Sequence, residues 1–307
     1  MTIMILLMGE QPAANLLPAR RLRPEKVVVV HSAWTKAHAT RLGRVLAGVE
    51  VMPIPVDPYA IDLIAADIRH AVAEAGWRAP DLLFNLTGGT KPMSLAAYNI
   101  AQELGAPFLY FQTEGGLSRI YHYGFDADRR PQTKAVDDVP ESIALDDYLQ
   151  LYLDDYQAYE ESQTDPGRDS GADFEVAVGQ ALRNAGLEVK WNLYPKREGA
   201  VEIDLVFRAG NQFGLMEVKL KAGKKGIDQL VAAGSQRYLG TYIARFVVST
   251  QPLDRNNLNL AEAHRVTPII LSGYAIGRRA LEPADRDALL AAVLARLNPP
   301  PKGRPTT

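Results

Sequence analysis

The chain has 307 residues, more than one core ordinarily organises, so two domains of about 150 residues each are expected. Lys and Arg number 34 against 36 Asp and Glu, so bulk charge neither points to nucleic acid nor excludes a local basic patch that binds it. Cysteine is absent and the five histidines have no ligand-like spacing, which rules out disulfides, thiolate metal sites and cysteine nucleophiles and leaves carboxylates to hold any metal.

The N-terminal MTIMILLMGE has an apolar run too short for a signal peptide or a spanning helix and no basic flank, so a soluble, cytoplasmic protein with no membrane partner is expected. Apolar strands then follow at IMILLMG, KVVVVHS, EVMPIPV, DLLFNL and APFLYFQ, with helical patterns near 34–48, 58–76 and 91–104. Near-continuous Val, Ile and Leu runs belong to strands covered on both faces. Residues 1–134 are therefore expected to form a Rossmann-like α/β domain with a parallel sheet.

In such a sheet, ligands gather where loops leave the carboxyl ends of strands. The loop NLTGGTKPM, residues 85–93, follows DLLF abruptly. Its glycines let a ligand approach the backbone, its N–H groups and the following helix start favour anions, Thr90 can cap that helix and Pro92 suits its first turn. A capped tight turn alone explains the Gly and Pro but not two Thr and a Lys together. The loop is not a P-loop, because the upstream Gly is missing and Lys91 precedes Pro92 instead of Ser or Thr. After the first strand, MGEQPAANLLPAR reads as a polar loop without a G-x-G-x-x-G fingerprint, which disfavours a dinucleotide-binding oxidoreductase.

Residues 135–161 carry nine Asp or Glu and no Lys or Arg. A helix through LDDYLQLYLDDYQAY would align Leu149, Tyr152, Leu153 and Tyr156, but 135–170 is read as a solvated acidic linker ending in the flexible SQTDPGRDSG. From 171 to 298 a second domain is expected: a helix, two strands, then helix, strand, helix, strand and a last helix. The tail 299–307, rich in proline, is expected to be disordered.

The two strands of the second domain, VEIDLVF and FGLMEVK, flank RAGNQ, whose Gly-Asn pair suits a hairpin turn. Centring the turn there sets Leu205 opposite Met216, Ile203 opposite Val218, Asp204 opposite Glu217 and Glu202 opposite Lys219. One face is then apolar and the other charged. Opposed like charges about 5 Å apart are destabilising, and a hard divalent cation shared by the two acids offsets that. A solvated face of cross-strand Glu/Lys pairs fits the same pattern. Glu202 is either a further ligand or the partner of Lys219, with the partner preferred, and Lys221, Lys224 and Lys225 form a basic loop alongside.

The order Glu175, Asp204, Glu217-Val218-Lys219 resembles the PD-(D/E)xK restriction-endonuclease-like nucleases over residues 171–272, although Ile203 stands where that motif has Pro. The resemblance implies a restriction-endonuclease-like α/β fold, metal held by Glu175, Asp204 and Glu217, and Lys219 positioning the attacking water and steadying developing charge. Gln229, Gln236 and Tyr238 are loosely similar to residues that follow the lysine in some of these enzymes.

Together with NLTGGTKPMSLAAY, this order resembles the CRISPR ancillary nucleases that fuse one CRISPR-associated Rossmann-fold (CARF) sensor domain to one PD-(D/E)xK domain. That resemblance implies a homodimer that binds one cyclic oligoadenylate, most often the tetra-adenylate, and then cleaves DNA, RNA or both in type III CRISPR defence with Mg²⁺ or Mn²⁺. It puts Thr87, Gly88, Gly89, Thr90 and Lys91 on the ring's phosphates and riboses, and Gly9, Glu10, Gln11 and Asn15 over its adenines. Tyr110, Gln112 and Thr113 are further lining candidates, Tyr110 being readable also as core. An inactive sensor with a decayed nuclease, or a ring nuclease degrading its own activator, are the alternatives.

Overall fold

The structure is a computed structural model that describes residues 1–114, 116–163, 169–196, 201–235, 239–240 and 243–298. Contacts divide the chain into two units, residues 1–143 with 150–152, and residues 144–149 with the chain from 153 onward.

In the first unit the apolar runs become β1 (Ile3–Leu7), β2 (Lys26–His31), β3 (Glu50–Pro55), β4 (Leu82–Asn85) and β5 (Phe108–Glu114). They alternate with α1 (Ala13–Leu22), α2 (Lys36–Val45), α3 (Ile61–Glu74) and α4 (Lys91–Leu104). Two more strands, β6 (Leu117–Phe125) and β7 (Pro131–Val139), complete a seven-stranded sheet of order β3-β2-β1-β4-β5-β6-β7. The first five strands pair in parallel and the last two are antiparallel. The middle is dry: Ile3 to Leu7, Val27 to Val30 and Phe84 are fully buried. The α/β class is as expected, with a mostly parallel sheet that gains an antiparallel edge.

Two expectations need correction. The stretch after β1 is no extended polar loop, since helix α1 starts at Ala13 and accommodates Pro18. Proline removes the N–H that would bond the carbonyl four residues back. That carbonyl, of Ala14, instead accepts from Asn85 Nδ2 at 3.2 Å, so the break in the helix ladder is satisfied from the sheet. Residues 135–170 are likewise no solvated linker. Within them lie the end of β7, α5 (Leu145–Tyr152), β8 (Tyr156–Tyr159) and the first residue of α6 (Ser170–Asn184). Tyr148, Leu149, Tyr152 and Leu153 are buried, so the apolar stripe outweighed the acidic composition. The acids lie off that stripe, and Asp146 pairs with Lys190 Nζ at 2.9 Å.

The second unit is a six-stranded sheet, order β13-β12-β11-β10-β9-β8, built from β8, β9 (Glu188–Pro195), β10 (Ile203–Ala209), β11 (Gln212–Lys219), β12 (Ala244–Ser249) and β13 (Val266–Ile270). Strands β8 and β9, absent from the sequence expectation, extend the hairpin on one side, and β12 and β13 join in parallel on the other. Helices α6, α7 (Lys224–Ala233), α8 (Arg255–Ala263) and α9 (Pro283–Leu297) complete the unit. Leu205, Phe207, Met216 and Val218 share one face, packed with Phe174, Val178, Leu289 and Val293 from α6 and α9.

The joint at 164–168, the tail 299–307, Gln236 and Tyr238 lie outside the described residues. Among the described residues no helix is long and apolar enough to cross a membrane.

Leu149 separates the linker reading from the packed one. Removing a fully buried leucine side chain costs about 2–5 kcal/mol, against at most about 0.5 kcal/mol for an exposed linker position. Denaturant titration of L149A should therefore show a clear loss of stability in the second unit's transition.

Candidate functional site

The strand order of the first unit reverses at β1, which has β2 on one side and β4 on the other. A crevice at the carboxyl ends of strands forms at such a switch point, and the loops after β1 and β4 meet there. A Cβ added to Gly9 would lie 2.9 Å from Gly89 N, and one added to Gly88 would lie 2.1 Å from Leu7 O. Only glycine permits this approach, and Gly89 also takes φ +73°, the left-handed region.

The organiser of these loops is Asn85, quoted in the sequence signature but given no role there. It is fully buried at the end of β4. Its Nδ2 donates to Ala14 O and to Asn15 Oδ1 (3.0 Å), and its Oδ1 accepts from Thr87 N (3.1 Å) and Thr87 Oγ1 (2.6 Å). Both donors and both acceptor positions are thus used. A buried polar residue closing a strand was the available signal, because such an amide must find partners.

Asn15 is buried and donates to Leu7 O at 2.9 Å, so it holds the β1 loop instead of closing over a ligand, a correction to its expected place. Thr87 Oγ1 also accepts from Phe111 N at 2.7 Å. Thr90 Oγ1 donates to Pro58 O at 2.6 Å and caps α4 by accepting from Met93 N at 3.3 Å. Gln11 Oε1 accepts from Tyr152 Oη at 3.0 Å. The side chains of Asn15, Thr87 and Thr90 are therefore scaffold, while the loop backbone, Glu10 and Lys91 face outward. Lys91 has no ion pair among the described residues. Tyr110 is 42 % exposed and not core, and Gln112 and Thr113 are exposed beside it.

In the second unit the hairpin register is as expected, pairing Leu205 with Met216 through Ala209 with Gln212. One position further the Asp204 carboxylate accepts from Val218 N at 2.7 Å. Lys219 Nζ donates to the same Asp204 oxygen at 2.7 Å and lies 3.1 Å from Glu217 Oε1. That second contact is an ion pair without hydrogen-bond alignment, and both Glu217 carboxylate oxygens are buried without a hydrogen-bond partner. Lys219 does not pair with Glu202, whose Oε1 accepts from Asn192 Nδ2 at 3.2 Å.

Burial first, then the Asp204 charge, push Glu217 up to about 7, and the Lys219 ammonium opposes this without prevailing. Glu175, on α6, is pushed up to about 8 by burial and then by Asp204, and its Oε1 also lacks a hydrogen-bond partner. For Lys219, burial works against the charge, but Asp204 and Glu217 outweigh it and raise its pKa. The ammonium therefore stays protonated near neutral pH and acts as a charge and donor, not as a base.

Asp204, Glu217, Lys219 and Glu202 line a cleft of about 550 Å³ together with Lys221, which precedes α7, and with Lys224, Lys225 and Gln229 on α7. Glu175 does not line it, though it feels the same charges. Among the described residues no group of three or more His, Cys, Asp or Glu is spaced to hold a metal ion. Lys219 Nζ pairs with both strand acids, and Glu175 on α6 feels the Asp204 charge.

The geometry defines an α/β protein with two glycine loops packed together at a topological switch point in one unit and an acid–lysine cleft in the other. Residues 3–148 match the family model described as the Card1 CARF domain, which covers the first unit. Can2 from Sulfobacillus thermosulfidooxidans, solved in complex with cyclic tetra-adenylate, superposes with TM-score 0.72 at 14% identity over 96% of this chain and 99% of its own. The Vibrio cholerae protein VC1899 gives TM-score 0.66 at 13% identity, covering 95% of this chain and 97% of that one. A type III CRISPR defence DNA nuclease activated by cyclic oligoadenylate gives 0.63 at 17% identity; the match covers 98% of this chain and 52% of that longer protein. No curated protein sequence matches the chain. The fold is shared with these structures over 95–98% of the chain, whereas the CARF match ends at residue 148.

Two expectations follow. N85A leaves the Ala14, Asn15 and Thr87 groups without their partner, which costs about 1–3 kcal/mol for each buried group; K91A, at an exposed position, should stay within about 0.5 kcal/mol of wild type by thermal and denaturant melts. A carboxyl whose folded pKa is raised stabilises below its unfolded pKa and loses that contribution as pH rises through the folded value. Metal-free wild type should therefore lose stability relative to E217Q and E175Q as pH goes from about 5 to about 8.5, which melts across that range would reveal.

Proposed function

We propose that the chain is a metal-dependent endonuclease of type III CRISPR antiviral defence that cuts DNA or RNA when a cyclic oligoadenylate binds its first unit. The observation that carries this reading is the Asp204–Glu217–Lys219 cluster, held on adjacent strands and opening into a lysine-walled cleft. Such a cluster suits phosphodiester hydrolysis without His or Cys.

The donor set fits a hard divalent cation. Both Glu217 oxygens and Glu175 Oε1 are buried without hydrogen bonds, and oxygen donors suit Mg²⁺ or Mn²⁺. Asp204 and Glu217 would hold the ion, with Glu175 the third acid. When bound, it supplies Lewis-acid polarisation of the phosphodiester and lowers the pKa of water. The chain's own groups do the rest. Lys219 presents a fixed positive charge to the negative charge that develops on the phosphoryl oxygens, where preorganised electrostatics act most strongly. Lys221, Lys224 and Lys225 draw the backbone phosphates of the nucleic acid along the cleft. The restriction-endonuclease-like PD-(D/E)xK assignment of this unit rests on that arrangement.

For the first unit, the CARF match and the likeness to a cyclic tetra-adenylate complex support cyclic oligoadenylate as activator, with the tetra-adenylate the first choice. The glycine loops present backbone N–H groups to the phosphates, and Lys91 adds a mobile cation. A ring of two-fold symmetry suits a homodimer that offers each half the same loops. The ligand activates by binding the active arrangement more tightly than the resting one.

Purified protein with Mn²⁺ or Mg²⁺ should cut supercoiled plasmid, single-stranded DNA or single-stranded RNA only when cyclic tetra- or hexa-adenylate is added. E217A and K219A should abolish cutting and leave ligand binding intact, and K91A should shift activation to higher ligand concentration. Absence of cutting under every combination rejects the enzyme, and cutting indifferent to ligand rejects the sensor.

A further inference from the structure

The ligand end of the first unit carries two large aromatic side chains that no part of the fold uses. Trp34 is 89 % exposed and Tyr59 is 74 % exposed. A single exposed aromatic needs no explanation. These two, however, stand on rigid turns at the same rim as the glycine loop.

Trp34 follows β2 on a turn locked by its buried flanks. Ser32 N donates to Thr35 Oγ1 at 3.1 Å, Thr35 N donates to Ser32 Oγ at 3.3 Å, and the two hydroxyls lie 3.2 Å apart. Tyr59 follows β3 on a turn in which its N–H donates to Asp57 Oδ1 at 2.9 Å. The preceding Pro58 carbonyl accepts from Thr90 of the glycine loop at 2.6 Å. The roots of the loops are also tied across the sheet, Met8 N to Val30 O at 2.8 Å and Val56 N to His31 O at 2.9 Å. Gly9 abuts Gly89 on the other side. The loops after β1, β2, β3 and β4 therefore form one continuous rim, with the glycine loop and Lys91 at its β4 end and two exposed aromatic side chains on hydrogen-bonded turns towards β2 and β3.

Anion donors beside aromatic platforms are what an unpaired oligonucleotide needs, because every base has a π-face and every link a phosphate. Resting on the cyclic oligoadenylate reading above, we propose that Trp34 and Tyr59 are stacking platforms for the adenine bases of the ring seated on the glycine loop. The hydrogen-bonded turns beneath them limit the loop ordering that binding requires.

The test uses the full chain, titrated with cyclic tetra- and hexa-adenylate by calorimetry and by tryptophan fluorescence. Stacking on an aromatic is worth about 1–3 kcal/mol per base, so W34A and Y59A should each weaken binding about fivefold or more. W34F and Y59F should stay within about threefold of wild type. Ligand should quench wild-type fluorescence, and W34F should lose that quench, since Trp191 is buried and Trp77 lies under Lys26 Nζ at 5.5 Å. Melting temperatures of all four variants should match wild type, as both side chains are exposed. Wild-type binding that W34A and Y59A leave within twofold overturns this inference alone. A wild-type chain that binds neither ring overturns the activator reading and this inference with it.

Discussion

Two carboxylates brought side by side on neighbouring strands, with little water around them, repel. At about 5 Å and an effective dielectric near 20, that repulsion is roughly 3 kcal/mol, a sizeable fraction of a domain's net stability. Asp204 and Glu217 are in this position, and the fold answers with Lys219 and with the Val218 N–H that Asp204 accepts. The answer is incomplete. Glu217 keeps two buried oxygens without hydrogen-bond donors and Glu175 one, and burial with the Asp204 charge pushes both carboxyls up. A structural salt bridge would have been closed off; this one opens into a cleft that three further lysines also line. Perturbed acids gathered beside an ammonium are the kind of arrangement found at functional sites, and the nuclease proposal rests on it.

The first unit solves the opposite problem. Its crevice contains hardly any committed charge, and its loops are shaped by neutral hydrogen bonds that converge on one buried amide. Asn85 ties α1, the β1 loop and the glycine loop together, and Pro18 supplies the free carbonyl that anchors one of those bonds. With the polar side chains of Asn15, Thr87 and Thr90 spent on the scaffold, backbone donors and aromatic faces are left for recognition. Such a surface suits a ligand read by shape, phosphate and stacking more than one read by side-chain hydrogen bonds to base edges.

Much of this was legible in the residues. The Val and Ile runs of β1 and β2 could only be doubly covered strands, and the turn at Gly210 and Asn211 set the β10–β11 register to the residue, because a slip of one position would have turned Leu205 and Met216 to the wrong face. What misled was composition. The acidic run after residue 135 concealed α5 and β8, whose burial depends on partners far away in the chain, and the two prolines near residue 15 concealed α1. Strand β9 escaped notice because its alternation becomes visible only once β8 and β10 flank it.

The sequence alone determined the α/β class, the glycine loop at a strand end, and the placing of Asp204 opposite Glu217 on one face of a hairpin, since all three rest on local pattern: periodicity, turn chemistry and spacing across a short hairpin. Only the tertiary structure decided which side chains were free. That Asn15, Thr87 and Thr90 are consumed as scaffold, that Lys219 bridges Asp204 and Glu217 and leaves Glu202 to Asn192, and that Glu175 stands back from the cleft all follow from contacts between segments distant along the chain. A polar group's role depends on which partner reaches it first, and that is settled by packing.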